Sequence, residues 1–155
     1  MAGQEHLELM ERYLVELAGK SVIEQLKLRR IRIIAMRKVS FCSPFLKIGK
    51  PLFEIWIKQD DSLEEQKMSF GHEICHTFDF NVKSVFHPFE ERIHRLLGED
   101  FYAKKDDYVW SEIEKEEEDF CEEFARRWLN QDNNEKGTEA LIKALAAGKR
   151  VLRIK

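Results

Sequence analysis

Cysteine is scarce: only Cys42, Cys75 and Cys121 occur in 155 residues, and no two of them are spaced as C-x-x-C. An odd, scattered set signals neither a disulfide framework nor a thiolate zinc site, and it predicts a protein of the reducing cytoplasm. Cys75 and Cys121 read as inert core thiols. Long apolar runs are missing too. No window approaches a membrane span, and Met1-Ala2-Gly3-Gln4-Glu5-His6 lacks the basic and apolar regions of a secretory signal. A soluble, intracellular protein without a membrane partner is expected. There is no excess of positive charge either, the formal net charge being -3, which argues against broad nucleic-acid binding. The basic run Lys149-Arg150-Val151-Leu152-Arg153-Ile154-Lys155 reads as a surface strand. Repeats and low-complexity linkers are absent, and 43% hydrophobic content suffices for one core, so a single domain over residues 1–155 is expected.

What is present is periodicity of both kinds. Leu7, Met10, Leu14 and Leu17 repeat at helical spacing, with Gly19 as the stop. From Ile31 to Phe41 β-branched residues and the alternating Arg32, Arg37 and Lys38 predict a strand. Phe53, Ile55 and Ile57, alternating with Glu54, Trp56 and Lys58, predict another, with Gly49-Lys50-Pro51 turning between the two. Pro88 can open a short helix that buries Phe89, Ile93, Leu96 and Leu97 before Gly98 ends it. Ser111 with Glu114 three residues on has the form of a capping box for a helix reaching Asn130, with Ile113, Phe120, Phe124 and Trp128 on its buried side. Thr138 to Ala147 reads as a final helix closed by Gly148.

One segment names a chemistry. Phe70-Gly71-His72-Glu73-Ile74-Cys75-His76 contains H-E-x-x-H, and Phe70, Ile74, Thr77 and Phe78 set an apolar stripe at helical spacing around it. No proline interrupts residues 62–87. On a helix, side chains four residues apart stand one above the other, so His72 and His76 can share one metal ion with Glu73 beside it. Two imidazoles on zinc leave room for one more protein ligand and a reactive water, which a neighbouring carboxylate can deprotonate.

The acidic helix downstream can supply that ligand. Eight of the twelve residues from Glu112 to Glu123 are acidic, which describes a solvated face. Some of these acids nevertheless adjoin the apolar stripe, and a carboxylate turned inward is costly unless hydrogen-bonded or bound to a cation. Glu114, Glu117 and Glu118 all satisfy the phase of the helix, and periodicity slightly favours Glu117.

H-E-x-x-H followed by Glu118-Asp119-Phe120-Cys121-Glu122-Glu123-Phe124-Ala125 resembles the ImmA/IrrE group of zinc metallopeptidases, whose second element is Glu-x-x-small-x-x-Phe-Ala. Glu65-Gln66-Lys67-Met68-Ser69-Phe70-Gly71 resembles the family's lead-in, and together the matches span roughly residues 50–130. The resemblance implies Glu118 as the third zinc ligand, with Cys121 in the place of the usual alanine. Glu122 falls where a residue can orient the free ring nitrogen of a ligating histidine. It also implies a minimal gluzincin-like α+β domain: a small antiparallel sheet packed with the H-E-x-x-H helix and with a second helix carrying the third ligand. The departures are a longer connection between His76 and Glu118, and Trp128-Leu129-Asn130-Gln131 in place of Leu-Leu-x-Pro.

The expected activity is zinc-dependent endopeptidase cleavage, with His72, His76 and Glu118 as metal ligands and Glu73 as the base that activates water. The resemblance implies a protein substrate such as a helix-turn-helix transcriptional repressor. His87, His94, Tyr102 and Tyr108 are candidates for stabilising the oxyanion, and His6 has less claim. The alternative is a metal-stabilised binding module that sequesters a regulator without cutting it, for which Glu73 is dispensable and His72 and Glu118 are not.

Overall fold

The computed structural model describes residues 4–47, 50–79 and 107–148, which form an α+β arrangement of five α-helices and one three-stranded sheet. Helix α1 spans Gln4–Leu17 and buries Met10, Leu14 and Leu17, while Leu7 at its start is more exposed. Gly19 then takes φ +74, the left-handed backbone that a residue without a Cβ adopts at a helix end. Helix α2, Val22–Leu28, has no counterpart among the sequence expectations. Two turns are too short to print a period, but its start is written in Ser21-x-x-Glu24. Glu24 N donates to Ser21 Oγ at 3.2 Å and Ser21 N to the Glu24 carboxylate at 3.3 Å, a reciprocal cap.

The sheet corrects the expectation of an antiparallel pair. Strand β1 spans Ile31–Arg37, and a separate strand β2 runs Phe41–Lys47 before β3 takes Lys50–Lys58. The order is β1-β3-β2, with β3 parallel to β1 and antiparallel to β2. Parity explains the difference. One reversal between two strands makes them antiparallel, whereas two reversals through β2 restore the original direction. Lys50 and Pro51, expected in a turn, instead open β3. Pro51 lies opposite Leu46 of β2, while the pairing with β1 begins only at Phe53, so the missing N–H falls where the strand is paired on one side. The alternation of β3 holds: Phe53, Ile55 and Ile57 are buried, and Glu54 and Trp56 less so.

Helix α3, Leu63–His76, is capped by Ser62, whose hydroxyl accepts from Glu65 N at 3.2 Å, and it runs into a 3-10 turn at Thr77–Asp79. Phe70, Ile74, Thr77 and Phe78 of its stripe are all buried. Helix α4, Asp107–Leu129, begins ahead of Ser111, so that serine is an interior helical residue and not a cap. Phe120, Phe124 and Trp128 are buried as expected, while the side chain of Ile113 lies outside the described residues. Helix α5, Asn134–Ala146, starts four residues before Thr138 and is followed by Gly148 at φ +78. The expected short helix after Pro88, the residues His87, His94 and Tyr102, and the basic run at 149–155 lie outside the described residues, as does the side chain of Tyr108. Among the described residues no helix is long and apolar enough to cross a membrane.

The helices close over the buried face of β3. A neutral polar network ties α2, the end of α4 and the start of α5 together. Trp128 Nε1 donates to Gln25 Oε1 at 2.6 Å, Gln25 Nε2 to Asn134 Oδ1 at 2.8 Å, and Asn134 Nδ2 to the Trp128 carbonyl at 2.8 Å. Each buried donor meets an acceptor, which removes the desolvation penalty of these groups.

Candidate metal centre

Helices α3 and α4 pack antiparallel. Phe70 lies by Trp128, Gly71 by Ala125, His72 by Glu118 and Glu122, and His76 by Glu117. Gly71 makes this approach possible. A Cβ there would stand 3.0 Å from Ala125 Cβ, 3.1 Å from Ala125 Cα and 3.3 Å from the Trp128 ring. Any larger residue would wedge the helices apart one position before the first histidine.

The approach brings three ligand-type side chains together. His72 Nε2 and His76 Nε2 are 3.1 Å apart. Glu118 reaches both, with Oε2 at 2.8 Å from His72 Nε2 and Oε1 at 3.4 Å from His76 Nε2. Ligands about 2.0 to 2.1 Å from a tetrahedral zinc are about 3.3 Å from one another. The observed separations lie within about half an ångström of that edge length, so this donor set fits the ion.

Protons alone serve the cluster poorly. If both Nε2 atoms carry hydrogen for Glu118, they oppose each other across 3.1 Å; if one is bare, Glu118 loses a donor. A cation among the three satisfies all of them at once. Hydrogen bonds from His72 and then His76 hold the Glu118 carboxyl well below the usual carboxylate range. Burial, the largest single influence, pushes His72 towards the neutral form, but the hydrogen bond to Glu118 together with the charges of Glu118 and Glu73 outweighs it and the pKa rises.

Two further acids of α4, Glu117 and Glu122, stand on the far side of the rings. Glu122 Oε1 is 2.8 Å from His72 Nδ1, yet off the N–H direction, so that buried nitrogen has no well-formed hydrogen bond. Glu117 Oε1 is 3.2 Å from His76 Nδ1. Three carboxylates of α4 therefore divide between two positions: Glu118 lies between the Nε2 atoms, and Glu117 and Glu122 flank the Nδ1 atoms. This favours Glu118 over Glu117 as the third ligand, although His76, Glu117 and Glu118 also hold ligand atoms within 4.8 Å of one another. The side chain of Glu114 lies outside the described residues.

Cys121 forms a comparable group with the two histidines. Its Sγ lies 3.9 Å from His76 Nδ1, the same nitrogen that Glu117 faces. A hydrogen bond with Cys75, and then burial, push the Cys121 thiol well above its ordinary value, the reverse of what a thiolate ligand needs. Both cysteines are fully buried, and Cys121 stands closer to the histidines than a plain packing role suggests. Glu73 is buried on the same helix and adds a favourable Coulomb contribution to charged His72.

No protein-family model, curated protein or solved structure matches this chain.

Proposed function

We propose that the protein is a zinc-dependent endopeptidase with a minimal gluzincin-like domain spanning the chain, acting in the cytoplasm on a regulatory protein such as a helix-turn-helix repressor. The reading rests on His72 Nε2 and His76 Nε2 lying 3.1 Å apart with the Glu118 carboxylate against both, Oε2 at 2.8 Å from the first and Oε1 at 3.4 Å from the second. These three residues would hold Zn2+, which when bound polarises a peptide carbonyl and acidifies water. Glu73 is the general base: it takes the proton of the attacking water and returns it to the leaving amine. Glu117, facing His76 Nδ1 at 3.2 Å, holds the plane of that ring so that its Nε2 stays directed at Glu118.

Two measurements decide between cutting and mere binding. Purified without added metal, the protein should carry about one equivalent of zinc, since a formed site retains its ion. Co-expressed with a helix-turn-helix repressor encoded beside its gene, the parent protein should cleave it. Glu73→Gln should keep the zinc and lose about 100- to 10,000-fold in rate. Cleavage by Glu73→Gln at the parent rate would overturn the assigned mechanism. Zinc retention with no cleavage by either protein, alongside tight repressor binding, would favour the sequestering module.

A further inference from the structure

The structure assigns Arg29, at the end of α2, as the positioning residue that holds His76 in register with Glu118. It rests on the metallopeptidase reading above, and it gives the two N-terminal helices a task that the motif itself does not reveal. Arg29 lies far from the histidines in sequence but grips the residue directly after the second of them. Its Nε donates to Thr77 Oγ1 at 3.1 Å and one Nη donates to the Thr77 carbonyl at 2.9 Å. The other Nη lies 3.2 Å from Glu16 Oε1 of α1. The Thr77 hydroxyl in turn donates to the Ile74 carbonyl at 2.7 Å. The Thr77 carbonyl, at the end of the turn bearing His76, is thereby closed directly by Arg29, and the Ile74 carbonyl, which a backbone N–H already reaches, takes the hydroxyl as a second donor.

The guanidinium also stacks 3.7 Å over the ring of Phe78. Phe78 is stacked on Tyr13 of α1 at 4.2 Å between ring centroids, and it packs at 6.2 Å against Phe124 of α4. Arg29 thus touches the end of one ligand-bearing helix and, through Phe78, bears on the other. A planar cation with a fork of donors can make both contacts together, whereas an ammonium makes at most a part of them. Such a clamp matters because His76 is the last residue of α3, where a helix frays unless something holds it. Losing the clamp frees His76 to turn while His72, a full turn inside the helix, keeps its place.

The test uses the full chain and zinc alone as the probe. Zinc affinity is read by competition with a chromophoric chelator, and ligand geometry by the visible spectrum of the cobalt-substituted protein. Arg29→Met keeps an apolar stem over Phe78 and removes every donor. It should weaken zinc binding about tenfold, the lower end of the cost of losing an outer partner of a metal ligand, and change the cobalt spectrum. Arg29→Lys should restore part of the affinity. Lys67→Met serves as the control, because it breaks ion pairs to Glu64 and Glu135 at the other end of the same helix. It should move neither readout. Equal zinc affinity in parent and Arg29→Met, or equal losses in Arg29→Met and Lys67→Met, would overturn the assignment. Should Arg29→Met fail to fold, Arg29→Lys decides: affinity and spectrum intermediate between parent and metal-free protein support the clamp, and parental values overturn it. A parent protein that takes up no zinc overturns the metallopeptidase reading and this inference with it.

Discussion

Two polar clusters sit in the helical half of the molecule, and they differ in how they close. Gln25, Trp128 and Asn134 pair donor to acceptor in bonds of 2.6 to 2.8 Å. His72, His76 and Glu118 press two like nitrogens together at 3.1 Å, with the buried Nδ1 of His72 short of a hydrogen bond. Both clusters are reached by α4, and both border its contact with neighbouring helices. A neutral network that satisfies itself is scaffold, because nothing further can bind it more favourably than it binds itself. A cluster that protons satisfy only in part retains affinity for a cation.

The largest break in this contrast should come from Glu118→Ala. It removes the acceptor shared by both imidazoles, and zinc affinity measured by chelator competition should fall by more than the roughly 10- to 100-fold cost of losing an outer partner. The metal-free variant should still unfold cooperatively. Gln25→Leu is the reciprocal experiment: it strands Trp128 Nε1 and Asn134 Oδ1, and urea unfolding should show a loss of about 2 to 4 kcal/mol. Its zinc stoichiometry should stay at the parent value, and a Gln25→Leu protein that folds but no longer binds zinc would erase the distinction between the clusters.

The smallest effect expected is a dependence on pH. The raised His72 pKa stabilises the metal-free fold below the ordinary imidazole value, and this is lost as pH rises through the folded value. The depressed Glu118 pKa stabilises it above the ordinary carboxylate value, and this is lost as pH falls through the folded value. The pair therefore helps most between the ordinary carboxylate value and the raised imidazole value. Zinc competes with the proton on His72, so its affinity should climb as pH rises through that same imidazole value. Thermal unfolding with chelator and with zinc, compared from pH 5 to pH 8, should show a gap that widens upward; a constant gap would mean that His72 is not a ligand.

Particular residues show where the sequence could be read and where it could not. The stripe Phe70, Ile74, Thr77, Phe78 and the alternation Phe53, Ile55, Ile57 are repeats of local geometry, and both survive in the fold. Strand β2 carries Pro44 and has no clear alternation, so it passed unnoticed, and with it went the direction of β1 relative to β3. Ser111-x-x-Glu114 and Ser21-x-x-Glu24 are equal as strings, but only the second caps a helix. A cap requires the chain to be non-helical just before it, and residues Asp107 to Trp110 are already helical. Arg29 carried no local signal, since its partners lie 48 positions away.

The sequence by itself determined the donor types, their one-turn spacing on α3 and the acidic face of α4, because these follow from 3.6 residues per turn and from side-chain chemistry. Only the tertiary structure showed which of Glu117 and Glu118 lies between the Nε2 atoms. The two differ by about 100° around one helix, and which of them meets the Nε2 atoms depends on how closely and at what rotation α4 lies against α3. Gly71 and Ala125 set that distance by contact between small residues far apart along the chain, a quantity that no local periodicity encodes.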